Sequence, residues 1–164
     1  MSLNYSAVAS AISSEYNDIK QTPGTPAGDR WMNFYTSTYD SDANNGSFSA
    51  SSVVMVSNPS LLEFNVSNDT STVNNWAKSI ADYWVSQVTP GSPQNCGAIT
   101  SVTNDASKIE SEIANYLSGL GDIERTPYYE HLFEFIENQV KSIIWTVSES
   151  DGSGCSSTYN VSIT

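Results

Sequence analysis

Two hydrophobic periodicities constrain the fold of this 164-residue chain more than any other feature of its sequence. Apolar side chains recur at helical spacing in four stretches, and they alternate with polar side chains in two others. Apolar residues at helical spacing lie on one face of a helix, and alternating apolar residues lie on one face of a strand. The mixture predicts an α+β fold with about four amphipathic helices and a small antiparallel sheet. At this length, and without a repeat or a linker, residues 1–164 are expected to form a single domain.

Pro, Gly and polar turn residues separate the four helical stretches. The first is predicted to run from Tyr5 to Lys20, and the second carries its apolar stripe from Trp76 to Val88. The two remaining stretches lie in the second half of the chain.

The third helix is predicted to begin after an N-cap at Thr103 or Asn104, since both residue types cap helices well. The fourth begins at Thr126, which precedes a proline suited to the first helical position. We expect this helix to continue to about Ser148, although the β-branched residues at 143–147 also suit a strand.

Alternating patterns predict the strands. Residues 48–66 contain two such runs around an Asn-Pro-Ser turn, which indicates a β-hairpin. Residues 158–164 alternate to the last position, so we expect a C-terminal strand that pairs with a sheet, of its own subunit or of a neighbouring one. Residues 21–47 combine turn residues with many aromatic ones, which predicts an ordered loop with one short strand.

The charge balance argues against several classes of partner. Eighteen acidic residues stand against six basic ones, giving a formal charge of −12. Nucleic acids and anionic membranes are bound through clustered Lys and Arg, so neither is an expected partner. Charged residues make up only 15% of the chain, and the polar surface is expected to consist mainly of hydroxyl and amide groups. The start of the sequence shows no leader peptide, and no apolar run reaches the length of a membrane span.

Two cysteines, Cys96 and Cys155, lie far apart in Gly/Ser-rich stretches. Such a pair forms either a disulfide or two separate thiols, and the sequence leaves both alternatives open.

No constellation of residues predicts catalysis or a cofactor. The single histidine, His131, has no nucleophile at the spacing of a known motif, so it is interpreted as a surface or packing residue. Carboxylates at helical spacing, including Glu130, Glu134 and Glu137, are expected to form a solvated helix face. No catalytic residue and no enzyme activity are therefore predicted.

The best candidate for a metal site is the run around residue 42. Asp40, Asp42 and Asn44 place oxygen ligands at alternate positions, as a calcium loop does. The sixth and twelfth positions are Asn45 and Ser51, whereas an EF-hand needs Gly and Glu there. A solvated turn is favoured, and no metal is predicted.

Aromatic and terminal-strand residues are the candidates for contact with other proteins, and they are Trp31, Phe34, Tyr35, Tyr159, Val161 and Ile163. In length and composition the chain resembles small virion structural proteins of tailed bacteriophages, the accessory subunits of necks, tails, baseplates and capsids. The resemblance implies a symmetric homo-oligomer in a virion, with itself and other structural proteins as partners. The alternative is an extracellular or cell-surface binding module that uses residues 31–39 for a ligand. An enzyme of unrecognised type is the third possibility.

Overall fold

The computed structural model describes residues 3–14, 35–39, 53–55, 70–120 and 129–164. These residues contain helices and strands in a mixed order, which confirms the predicted α+β class. Residues 35–39 form a short helical segment. The other elements are α1 (Tyr5–Ser14), β1 (Val53–Met55), α2 (Thr70–Ser86), β2 (Val88–Pro90), β3 (Ala98–Asn104), α3 (Ser107–Leu120), α4 (Tyr129–Ser142), β4 (Trp145–Ser150) and β5 (Ser156–Val161).

The main sheet is antiparallel, with the strand order β3-β4-β5. β4 and β5 form a hairpin whose register is continuous from Trp145↔Val161 to Ser150↔Ser156. β3 pairs with the other side of β4, and its register shifts between Ile99 and Ser101. β1 and β2 form a separate antiparallel pair. Among the strands that the structure describes, β4 is therefore central, with β3 on one side of it and β5 on the other.

The core lies where the helices meet the inner side of this sheet. α1 packs against α4, and α2 packs against α3. Apolar residues of all four helices and of β4 and β5 belong to one buried cluster. Its largest fully buried aromatic side chains are Trp84, Trp145, Tyr35, Tyr39, Tyr83, Tyr129 and Phe133.

The helical segment at 35–39 is held against α2 by buried aromatic residues. The indole Nε1 of Trp84 donates a hydrogen bond to the Tyr35 hydroxyl at 2.9 Å. The Tyr39 ring meets the Trp84 ring edge-on, with 4.9 Å between the centroids. Burial raises the pKa of both tyrosine hydroxyls, which stay protonated. In this part of the predicted loop 21–47 the chain is helical, and the rest of the loop lies outside the described residues.

The prediction that the fourth helix runs to Ser148 is wrong. α4 ends at Ser142, and residues from Trp145 onward form β4. The Lys108 ammonium group donates to the Ser142 carbonyl at 2.7 Å. The Asp105 carboxylate accepts a hydrogen bond from the backbone N–H of Ile144 at 2.8 Å. Contacts from a distant part of the chain thus satisfy the polar groups at the end of the helix.

The strand β3 was missed by the sequence pattern. Its two half-buried apolar residues, Ile99 and Val102, are three positions apart because the register shift lies between them. A bulge of this kind breaks the alternation by which strands are recognised. The predicted N-caps Thr103 and Asn104 are the last two residues of β3, and the Asn104 side chain accepts a hydrogen bond from the backbone N–H of Ala106 at 3.0 Å, just before α3 begins at Ser107.

The structure describes only part of the two predicted strand pairings. The predicted hairpin partner of β1 lies outside the described residues, and the partner that the structure shows is β2. The C-terminal strand pairs with β4 of its own chain along β5, and pairing of residues 158–164 with a neighbouring subunit stays a prediction. Val161 and Ile163 are each only 2% exposed and belong to the core of their own subunit.

Candidate interaction surface

The side of the β3-β4-β5 sheet turned away from the helices forms a surface that we call the outer face. The strand register arranges its side chains in three rows across the sheet. In chain order across the strands, the rows are Thr103, Thr146 and Asn160; Ser101, Ser148 and Thr158; and Ala98, Ser150 and Ser156. All nine residues are exposed or half-buried. A strand presents alternate residues on one face, so this array follows directly from the pairing.

The outer face consists of nine small side chains, of which eight are polar and none is ionisable. The Thr146 hydroxyl donates to the side-chain oxygen of Asn160 at 2.9 Å. The hydroxyls of Ser148 and Thr158 are 3.4 Å apart in the next row. Such cross-strand hydrogen bonds hold the side chains in a regular arrangement. The face can offer donors and acceptors to a partner without bringing charge to the contact.

One end of the same sheet is tied together by a disulfide. Cys96, which precedes β3, is bonded to Cys155, which precedes β5. The bond joins residues 59 positions apart in sequence and links the starts of β3 and β5 beside the β4–β5 turn. Of the two alternatives that the sequence left open, the structure has the disulfide.

The Glu149 carboxylate lies next to this disulfide on the inner side of β4, and only 2% of the residue is exposed. It accepts hydrogen bonds from three successive backbone N–H groups, those of Gln94, Asn95 and Cys96, at 2.6, 2.7 and 2.8 Å. The Tyr159 hydroxyl donates to the same carboxylate. We call the disulfide, Glu149 and these hydrogen-bond partners the clamp, because together they connect β3, β4 and β5.

The clamp stabilises the charged form of Glu149. Burial acts to raise the pKa of this carboxyl, but the hydrogen bonds from Tyr159 and the three backbone N–H groups outweigh it and lower the pKa from 4.5 to about 2. When the pKa of a carboxyl is lower in the folded than in the unfolded protein, its ionised form stabilises the fold at pH values above the unfolded-state pKa. This stabilisation is lost as the pH falls toward the folded-state pKa. The contribution of Glu149 should therefore disappear between pH 4.5 and about 2.

We expect Glu149→Gln to lower stability at neutral pH, because the amide loses the charge and turns an N–H group toward backbone donors. The variant should also show a shallower loss of stability than the parent between pH 4.5 and about 2. Urea unfolding midpoints across that interval measure both effects. Glu134→Gln is the matched control, since Glu134 is an exposed carboxylate of α4. Parallel pH profiles for the parent and Glu149→Gln would contradict the assignment.

The four described residues of the predicted interface do not come together on one surface. Tyr35 is fully buried, and Val161 and Ile163 are core residues. Tyr159 is half-buried, with its hydroxyl in the clamp. Two further candidates, Trp31 and Phe34, and the weak metal candidates Asp40, Asp42 and Asn44, lie outside the described residues.

The histidine and the three glutamates considered as catalytic candidates all lie on α4. His131 is exposed on α4, as are Glu130 and Glu134. Glu137 departs from the predicted solvated face, because it is 3% exposed and accepts a hydrogen bond from the Tyr39 hydroxyl at 3.0 Å. It also forms an ion pair with Lys141 at 3.2 Å. Within the described ranges, no group of three or more His, Cys, Asp or Glu side chains is placed to hold a metal ion.

Sequence reasoning missed both the clamp and the outer face. Residues 145–150 alternate between buried and more exposed side chains as a strand does, whereas the sequence favoured a helix to about Ser148. Comparison with protein-family models, with curated proteins and with solved structures gives no match for this chain. In the described part of the chain, no helix is both long and apolar enough to cross a membrane.

Proposed function

We propose that this protein is a non-enzymatic structural subunit of a tailed-phage virion, in the neck, tail or baseplate or as a capsid accessory protein, and that it forms a symmetric homo-oligomer. The observation that carries the proposal is the outer face, a regular array of nine small, uncharged side chains on a sheet whose end is covalently tied. Rigid surfaces of this kind fit other proteins at little cost in conformational entropy.

Charge supports the same assignment. A chain with a formal charge of −12 repels its own copies and other acidic proteins unless the contact lies on a neutral surface. The outer face supplies such a surface. The charge argument favours an assembly subunit of any kind, and the resemblance in length and composition to small phage virion proteins suggests that the assembly is a virion.

The proposal is tested by the protein content of purified phage particles. We expect mass spectrometry to find this chain in particles that have been washed with high salt and treated with nuclease, in a copy number that matches a symmetric ring. A chain that stays in the lysate supernatant, and is absent from washed particles, would refute the virion role.

The disulfide favours a second candidate, an extracellular or cell-surface ligand-binding module, because disulfides persist in oxidising compartments. Such a module would act as a monomer and keep its ligand during purification. Native mass spectrometry separates the two candidates, since it reports bound small molecules and subunit number in one spectrum. A ligand-bound monomer supports the module, whereas a ligand-free oligomer supports the assembly subunit.

A further inference from the structure

Each cysteine of the clamp is held by a backbone hydrogen bond that does not involve its sulfur. The Cys96 N–H donates to the Glu149 carboxylate at 2.8 Å, and the Asn95 N–H donates to the same oxygen at 2.7 Å. The Cys155 N–H donates to the Asp151 carboxylate at 3.0 Å. Glu149 and Asp151 are two positions apart, where β4 ends. Two carboxylates at one end of one strand therefore fix the backbones of both cysteines.

The turn between β4 and β5 holds Cys155 through local contacts. The Asp151 carboxylate also accepts a hydrogen bond from the Ser153 N–H at 2.8 Å, and the Asp151 N–H donates to the Cys155 carbonyl at 3.2 Å. Gly152 and Gly154 have φ angles of 75° and 115°, which glycine adopts without strain. Because all of these contacts lie within residues 151–155, the turn forms when β4 and β5 pair and does not need the sulfur–sulfur bond.

The disulfide lies outside the core. Cys96 is 6% exposed and Cys155 is half-buried, and neither belongs to the buried cluster that joins the helices to the sheet. Burial of that cluster drives folding, so the chain can fold while both cysteines are thiols. Access decides how readily a cysteine exchanges with other thiols and disulfides, and Cys155 is the more accessible of the two.

We propose that the bond between Cys96 and Cys155 is a late lock. The chain folds with two thiols that the contacts of Glu149 and Asp151 hold close to each other, and the bond forms when the folded protein meets an oxidising environment. Glu149 and Asp151 are positioning residues in this reaction, because they take up neither a proton nor an electron.

The oxidant is a low-molecular-weight disulfide such as oxidised glutathione. The Cys155 thiolate attacks it, which forms a mixed disulfide and releases one glutathione thiolate. The Cys96 thiolate then attacks the Cys155 sulfur and releases the second glutathione thiolate. The two electrons and two protons that the cysteines lose end on two molecules of reduced glutathione, so the reaction balances.

A late lock suits a chain that is made in a reducing cytosol and works outside it. By linkage, the carboxylate contacts favour the bond by the same factor by which the bond strengthens those contacts. The lock serves an assembly subunit and an extracellular module alike, so it goes beyond the proposed function.

The equilibrium of the thiol pair with glutathione measures this positioning. The protein is incubated at neutral pH in mixtures of reduced and oxidised glutathione, free thiols are alkylated, and mass spectrometry gives the oxidised fraction. Glu149 accepts backbone N–H groups on both oxygens, whereas an amide has one oxygen. We therefore expect Glu149→Gln to lower the equilibrium constant for disulfide formation at least about tenfold. Glu134→Gln, on the exposed side of α4, should leave it unchanged.

Asp151 allows a sharper comparison, because the N–H groups of Ser153 and Cys155 both donate to a single oxygen, Oδ1. An asparagine keeps such an oxygen and an alanine has none. Asp151→Ala should therefore lower the equilibrium constant roughly three- to tenfold, and Asp151→Asn should stay close to the parent. Asp151 is exposed in a turn, so we expect both variants to fold.

Circular dichroism separates a late lock from a bond that folding requires. The fully reduced parent should show the folded helices and sheet, and oxidised glutathione should restore the bond without altering the far-ultraviolet spectrum. A reduced parent that is unfolded would overturn the proposal, and so would equal equilibrium constants for the parent, Glu149→Gln and Asp151→Ala. If Glu149→Gln does not fold, the comparison of Asp151→Ala with the parent is the test, and equal constants for these two overturn the proposal.

Discussion

Trp84→Ala should lower the free energy of unfolding by roughly 3 to 5 kcal/mol, the usual range for truncating a buried aromatic side chain. Trp84 is fully buried, and its indole N–H is bound to the Tyr35 hydroxyl. Its ring also contacts Tyr39 and Tyr83, with centroids 4.9 and 5.2 Å away. The substitution therefore leaves a cavity, removes the indole hydrogen bond to the Tyr35 hydroxyl, and weakens the packing of the helical segment at 35–39 against α2.

Chemical denaturation followed by circular dichroism measures this loss. Tyr116→Ala is the matched control, since Tyr116 is a half-buried aromatic residue that stacks on Phe135 of α4. Its truncation removes a partly solvated contact, so we expect a clearly smaller destabilisation than for Trp84→Ala. Equal unfolding midpoints for Trp84→Ala and the parent would show that the aromatic cluster does not hold α2 in the core.

Replacing both Cys96 and Cys155 by Ala should lower the free energy of unfolding by roughly 2 to 5 kcal/mol. The bond spans 59 positions of the chain, and its loss lets the unfolded chain explore many more conformations. The hydrogen bonds of Glu149 stay in place, so we expect the variant to keep the folded sheet at neutral pH while it melts at a lower temperature.

Reduction of the parent is the control for the disulfide. Dithiothreitol should move the melting temperature of the parent toward that of the double variant, and it should leave the double variant unchanged. Titration of the denatured, unreduced parent should reveal no free thiol. Two reactive thiols per chain, together with a melting temperature that dithiothreitol does not alter, would contradict the bond.

The sequence alone determined which faces of α3 and α4 are buried. In α3 the apolar positions Ile109, Ile113 and Leu117 are buried, and in α4 so are Phe133 and Val140. Helical periodicity is a local property, because helix geometry alone decides on which face each residue lies. The stripe of apolar residues therefore identifies the buried face of a helix without knowledge of the elements that cover it.

Tertiary structure decided where α4 ends, which strands pair and which carboxylates are buried. The sequence favoured a helix over residues 143–147 and left a strand as the alternative, and pairing with β3 and β5 selected the strand from Trp145 onward. Glu149 has no local signal for burial, since its partners lie more than fifty positions earlier in sequence and at residue 159. A buried carboxylate is stable only when such partners converge on it, and that convergence arises when the sheet and the disulfide have formed.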